Sequence, residues 1–171
     1  MFRFALHLLI ALILTLLTEI GGIAYLIALA ASHIFDIRRF PAKLAIFLIC
    51  YAGATFAANL AAPMFGRVPL SCVASAADRL VVRSPIYCLL NRNYVTPDVR
   101  DLAKALAVHM DKQFPGTVTV ALDANFPFMN GFPLLPHLSH SDGKKLDFAY
   151  YYKDADGAFL NGVTRSPIGY F

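Results

Sequence analysis

Apolar positions along the chain fall into two unlike arrangements. Between Phe4 and Phe35 they run almost without interruption, Glu19 being the one acid, and between Leu44 and Gly66 no charged residue occurs. Each run exceeds the ~20 apolar residues that cross a hydrocarbon core of ~30 Å, so the pattern predicts two transmembrane helices, about 4–32 and 44–65. A secretory signal with Ala28-Leu29-Ala30 as its cleavage site is the competing reading, but a signal's apolar core is only ~7–15 residues long. Beyond residue 66 short periodic pieces take over. Thr96 as N-cap, Pro97 at the first helical position and Asp98 beside the positive dipole end predict a helix that Pro115-Gly116 stops. Its expected buried face is Val99, Leu102, Leu106, Met110 and Phe114. Thr117 to Leu122 alternates as a strand with Val118, Val120 and Leu122 on one side. Leu146 to Tyr152 alternates again, with Leu146, Phe148, Tyr150 and Tyr152 as the expected core face and Asp147, Ala149 and Tyr151 on the other. Asp154 to Gly157 turns the chain into a partner strand from Ala158, and lacks the later ligands of a calcium loop. Asp123 to His140, punctuated by prolines and glycine among Phe and Leu, is expected to be a long ordered loop.

Composition changes at the same point. Of 26 charged residues, six precede residue 67: Arg3, Glu19, Asp36, Arg38, Arg39 and Lys43. The chain is 58% hydrophobic, well above the ~45–50% of ordinary soluble domains, and the excess belongs to the first third. The expected fold is therefore α+β: a membrane anchor over 1–66, a connector over 67–95, and over 96–171 a small, incomplete domain with an antiparallel sheet. Arg38, Arg39 and Lys43 lie in the link between the apolar runs, which by the positive-inside bias is cytoplasmic, with both termini outward. That predicts the cytoplasmic membrane of a bacterium, with the C-terminal domain periplasmic or extracytoplasmic, and the lipid bilayer as a partner. The net charge of +4 is split evenly and forms no basic stripe with interleaved aromatics, so nucleic acid is not an expected partner.

Within the anchor, Gly53, Ala57 and Ala61 recur every fourth residue, a small-residue face suited to close helix packing against Thr15, Thr18, Glu19 and Gly22. Glu19 is read as a hydrogen-bonded carboxyl at that interface, with Asn59 as its expected partner, in preference to a proton relay. Cys50 lies in the second run. Cys72 and Cys88 follow it on the expected oxidising side, and a bridge between them would close a loop worth ~3 kcal/mol in the chain-entropy model. Their spacing suits neither a Cys-x-x-Cys pair nor a paired-cysteine zinc site, and two free thiols are the alternative. His109, remote from other donors, is read as a surface or packing histidine.

The chemistry gathers at His137-Leu138-Ser139-His140-Ser141-Asp142-Gly143-Lys144-Lys145-Leu146-Asp147. Imidazoles and a carboxylate are a natural donor set for catalytic zinc. His140 leaves the loop, Gly143 permits a sharp reversal, and Asp147 projects from the strand. The pattern His-x-x-Gly-x-x-x-Asp resembles the metal motif of the lysostaphin and D-Ala-D-Ala metallopeptidase group. Its longer form, with His137 and Ser139, is similar to that of the penicillin-insensitive murein endopeptidases. The resemblance implies zinc as cofactor, His140 and Asp147 as two of its ligands, Ser139 and Gly143 as supporting residues, and His137 close to the metal. It also implies hydrolysis of peptidoglycan peptide cross-links. Members of the group take a third ligand and a base from a later His-x-His element, and no histidine follows His140. The expectation is thus a C-terminally truncated chain, inactive alone; the alternative is a non-catalytic, membrane-anchored cell-wall binding or scaffold protein.

Overall fold

A computed structural model describes residues 2–75, 77–164 and 166–170; Phe171, where the chain stops, lies outside the described residues. The first apolar run does not form the single helix expected over 4–32. It breaks into α1 (Phe2–Thr18) and α2 (Gly21–Ile34). The break has a local cause. Glu19 adopts φ 65°, and Gly21-Gly22, poor helix formers, follow it. The chain then folds back on itself, because His7 Nδ1 and the Tyr25 hydroxyl lie 2.6 Å apart. Along one continuous helix those residues would be about 27 Å apart. Glycine is required in the crook: a Cβ on Gly22 would sit 2.0 Å from Thr15 Oγ1 and 2.5 Å from the Ala11 carbonyl. The polar, small stripe Thr15, Thr18 and Gly22 therefore packs α1 on α2.

The third helix, α3 (Phe40–Ala61), runs back along α2, with the rings of Tyr25 and Phe47 6.1 Å apart. With the 3-10 turn that follows it, Phe40–Phe65 is the one helix among the described residues long and apolar enough to cross a membrane, and little of it is covered by the rest of the chain. Helix α3 is about 33 Å long, whereas α1 and α2 are about 25 and 21 Å. Two corrections follow. The start of α1 lies at the same end as the 35–39 link, so Arg3 joins Arg38, Arg39 and Lys43 there, and the N-terminus is not on the side of the C-terminal domain. Gly53, moreover, has no neighbouring atom within 4 Å of the point where a Cβ would stand, so the Gly53 face of α3 is not what holds α2.

From Arg67 onward the chain builds an α+β domain at the other end of the helices. Residues 67–95, expected as a connector, belong to it: β1 (Val68–Pro69) pairs antiparallel with β3 (Tyr94–Val95), and β2 (Leu80–Val82) pairs parallel with β4 (Thr119–Ala121). The short helix α4 (Pro85–Leu89) lies between them, capped by Ser84, whose Oγ accepts from the Ile86 amide. Cys72 and Cys88 form the disulfide, with Cα atoms 6.1 Å apart. It ties the β1 loop to α4.

Helix α5 (Pro97–Gln113) has the expected limits but buries another face. Ala103 and Ala107 are its buried residues, Val99 packs into the core beside them, and Leu102 is 70% exposed. Small side chains bring the helix close to the sheet, so the larger apolar positions turn outward. The core lies on both faces of β4. Leu70, Val95, Ala121 and Ala124 form one side, and Tyr87, Val120, Leu122 and Ala149 the other. Residues 146–149 run antiparallel to 120–123 through the Ala121–Phe148 bridge and short backbone hydrogen bonds, without a regular strand. The expected core face holds only in part: Leu146 packs against the core, but Ala149 from the other face is buried and Tyr150 is 81% exposed. The Asp154–Gly157 turn does return the chain, as the Lys153–Phe159 bridge shows.

Candidate metal centre

One four-residue segment after β4 is the template for the site. Leu122 donates its amide to the Asp147 carbonyl at 2.8 Å, and Asp147 donates its own to the Asp123 carbonyl at 2.9 Å. The next carbonyl, Ala124, lies 2.7 Å from His140 Nδ1. The side chain of Asn125, fully buried, then fastens the intervening turn: its Oδ1 accepts from the Gly143 amide at 3.0 Å and its Nδ2 donates to the Lys145 carbonyl at 2.7 Å. Two donors seven residues apart in sequence are thus fixed by neighbouring groups of a single strand extension. Gly143 has φ 78°, and a Cβ there would lie 2.5 Å from Arg67 Nε. No other residue fits that reversal without moving a buried arginine.

His137, His140 and Asp147 each offer a ligand atom, and the three atoms lie within 4.8 Å of one another. Donors around a tetrahedral ion with ~2.1 Å bonds are ~3.4 Å apart, so a small inward shift completes the set. His140 Nε2 already lies 3.2 Å from Asp147 Oδ1, and His137 Nδ1 3.1 Å from Asp147 Oδ2. The chemistry of the His140 contact is informative. A carbonyl only accepts, so the ring carries its hydrogen on Nδ1, facing Ala124, and a neutral ring presents the Nε2 lone pair to a carboxylate oxygen. Two electron pairs so placed are reconciled by a shared cation or an added proton. A metal-ligating histidine whose other nitrogen is held by a backbone carbonyl has this arrangement. The group can hold a metal ion.

Residues distant in sequence surround it. Arg92 binds Asp123 with Nε and a terminal nitrogen, the Nε contact at 2.8 Å, and Asp123 is 1% exposed. Asp123 Oδ2 lies 3.3 Å from His137 Nδ1. The Tyr170 hydroxyl donates to Asp147 Oδ2 at 2.5 Å and stands 3.2 Å from His137 Nδ1. Burial, then the bond to Asp147 and its charge, push the Tyr170 phenol well above its ordinary value, so it remains a donor. Tyr87, whose hydroxyl donates to the Ile168 carbonyl, is pushed up to about 12, by burial first and then by the charge of Asp123. A cavity of about 350 Å³ opens beside His137, walled by Tyr87, Leu90, Pro136 and Ile168.

Of the residues singled out in the sequence, His137, His140 and Asp147 converge and Gly143 shapes the turn. Ser139 is exposed in the 137–140 turn, and its hydroxyl makes no hydrogen bond to the donors among the described residues. Glu19 does not meet Asn59, which bonds the Thr55 carbonyl and the Tyr94 hydroxyl instead. Asp123, Arg92 and Tyr170 carried no sequence signal, since nothing local marks partners 23 to 31 residues away. No protein family, curated protein or solved structure was found to match the chain.

Proposed function

We propose that this is a membrane-anchored, zinc-dependent peptidase-like protein whose outer domain acts on the peptide cross-links of peptidoglycan, at the periplasmic face of a bacterial cytoplasmic membrane. The observation that carries the reading is the convergence of His140, Asp147 and His137, with His140 Nδ1 held by the Ala124 carbonyl. Two imidazoles and a carboxylate are the donors of catalytic zinc, which keeps a fourth position for water. The motif's resemblance to the lysostaphin and D-Ala-D-Ala metallopeptidase group supplies the substrate class. Zinc bound there would bring a water of lowered pKa and a Lewis acid for the scissile carbonyl. The chain's own part is orientation: Ala124 fixes one ring, Tyr170 fixes the carboxylate, and Arg92 balances the charge of Asp123. The Cys72–Cys88 disulfide supports an oxidising compartment, and the gathering of Arg3, Arg38, Arg39 and Lys43 at the far end of the helices supports the orientation.

A second reading, a non-catalytic cell-wall binding or scaffold protein, is favoured by Asp123. It is the other carboxylate beside the donors, and Arg92 engages both of its oxygens, leaving it poorly placed as a base. The test uses the full chain in detergent with zinc and purified muropeptides. Zinc binding lost in His140→Ala and Asp147→Ala, with muropeptide hydrolysis that a chelator abolishes, supports the peptidase. Zinc-dependent muropeptide binding without turnover supports the second reading. Zinc binding unchanged in both variants overturns the metal centre.

A further inference from the structure

We propose that the cleft between α3, α4 and α5 binds an anionic phospholipid, with an acyl chain along α3 and the phosphate among Arg79, Arg100 and Lys104. The inference rests on α3 crossing the bilayer and is independent of the metal reading.

Two cavities, of about 550 and 690 Å³, share Asn59, Cys72 and Asn93 in their walls and so form one elongated cleft. Its first arm is apolar. Leu48, Ala52 and Phe56 recur at four-residue steps on α3 and face Leu89 of α4, and Leu48, Phe56 and Leu89 are all more than half exposed. Helix α4 sits at this depth because the Tyr51 hydroxyl donates to the Leu89 carbonyl at 2.5 Å. From Leu48 to Asn59 the helix rises about 17 Å, close to the depth of one leaflet of a ~30 Å hydrocarbon core. The segment Ser84 to Leu90 carries no charge, so α4 can enter the outer leaflet beside α3.

The second arm is cationic. Arg100 and Lys104 lie one turn apart on α5, and Arg79 faces them across the cavity. Arg79 and Arg100 reach Asp111 and Asp101 through Nε, each at 2.9 Å. Lys104 takes part in no ion pair within contact distance among the described residues. Asp78 is the carboxylate in this wall, and it is tied back to the Ser75 amide at 2.6 Å. Between the arms the wall is amide-rich. Asn59 and Asn93 line both arms, and Asn91, fully buried, lines the first arm beside them; its Oδ1 is the one buried side-chain polar atom among the described residues with no hydrogen-bond partner. An apolar groove one leaflet deep, a polar waist and a cluster of cations at the bilayer surface match, in order, an acyl chain, a glycerol region and a phosphate. A soluble anion matches only the last.

The experiment titrates the full chain in neutral detergent with phosphatidylglycerol or phosphatidylcholine of identical acyl chains, reading bound lipid by native mass spectrometry. Phosphatidylglycerol is expected to bind at least tenfold more tightly. A cation near a membrane surface is worth about fivefold. Lys104→Gln, at an exposed position, should therefore reduce phosphatidylglycerol binding about fivefold, and Arg100→Gln with Lys104→Gln should remove the preference. Ala52→Trp, which fills the apolar arm, should weaken both lipids. Each variant is checked for an alkylation-resistant Cys72–Cys88 pair. Equal binding of the two lipids by the unaltered chain, a preference that Lys104→Gln leaves undiminished, or displacement of phosphatidylglycerol by millimolar inorganic phosphate would overturn the proposal.

Discussion

Glu19 Oε1 accepts a hydrogen bond of 2.7 Å from the backbone amide of Met129, 110 residues later in the chain. Its other oxygen accepts from Phe128 at 3.0 Å. The hairpin turn between α1 and α2 thereby holds the long loop that leads to His137. Arg67, at the exit of α3 and 1% exposed, grips the same loop from the other side through the Phe126 carbonyl at 2.6 Å and Asn130 Oδ1 at 2.7 Å. An isolated acid in an apolar run has a structural use here: its buried carboxyl accepts from two loop amides.

Replacing Glu19 by asparagine tests that link. Asparagine tolerates the positive φ of the turn, but it is one methylene too short to reach both amides. Hydrogen bonds to charged groups contribute ~1.5–3 kcal/mol each, so hydrogen exchange at Phe128 and Met129 should accelerate roughly ten- to a hundredfold. Unchanged protection at both amides would show that Glu19 does not order the loop.

The folded-back hairpin also fixes sidedness. Phe2→Cys and Ile37→Cys should react alike with a membrane-impermeant maleimide in intact cells, whereas Tyr150→Cys, at an 81% exposed site, should behave oppositely. Opposite labelling of positions 2 and 37 would mean that residues 2–34 cross as one helix.

How far the sequence reveals this protein depends on how local each signal is. The ends of α5 are legible in Thr96-Pro97 and Pro115-Gly116, because start and stop signals act within a turn, although the Thr96 side chain makes no capping hydrogen bond. Its buried face is not, since Ala103 and Ala107 pack closest while Leu102 and Leu106 dominate the hydropathy pattern. The hairpin of α1 and α2 is hidden for the same reason: Gly21-Gly22 marks it, but a continuous apolar run outweighs two glycines. In the site, His140 and Asp147 are legible from a short spacing. Their supports, Ala124, Asn125 and Tyr170, are not, because β4 and the later loops bring them together only in the fold.

Gly143 offers a test of that template. Alanine there would meet both a strained φ of 78° and the Arg67 side chain 2.5 Å away. The two effects together should destabilise the full chain by roughly 2–4 kcal/mol, seen as a lower melting temperature. Adding Arg67→Ala should restore part of the loss caused by the clash, giving a favourable coupling in a double-mutant cycle. Independent, additive losses would show that the Gly143–Arg67 contact does not constrain the turn.

Tyr170 bears on how the carboxylate of Asp147 is used. Its hydroxyl occupies Oδ2, while Oδ1 faces His140 Nε2 at 3.2 Å, so one oxygen is oriented and the other is presented to an ion. Partners that orient a ligating carboxylate are worth about 10–100-fold in metal affinity. Tyr170→Phe keeps the ring that packs against His137, at a centroid distance of 4.9 Å, and deletes only the donor. Zinc affinity of the full chain, measured by competition with a chelator, should therefore fall about tenfold with helix content unchanged. It should also weaken as the medium is acidified in both proteins, because protons compete for the same lone pairs. A rise in affinity on removing the hydroxyl would reverse the assignment: Tyr170 would then be competing with the ion for Oδ2, and Asp147 would bind through the oxygen that the tyrosine now covers.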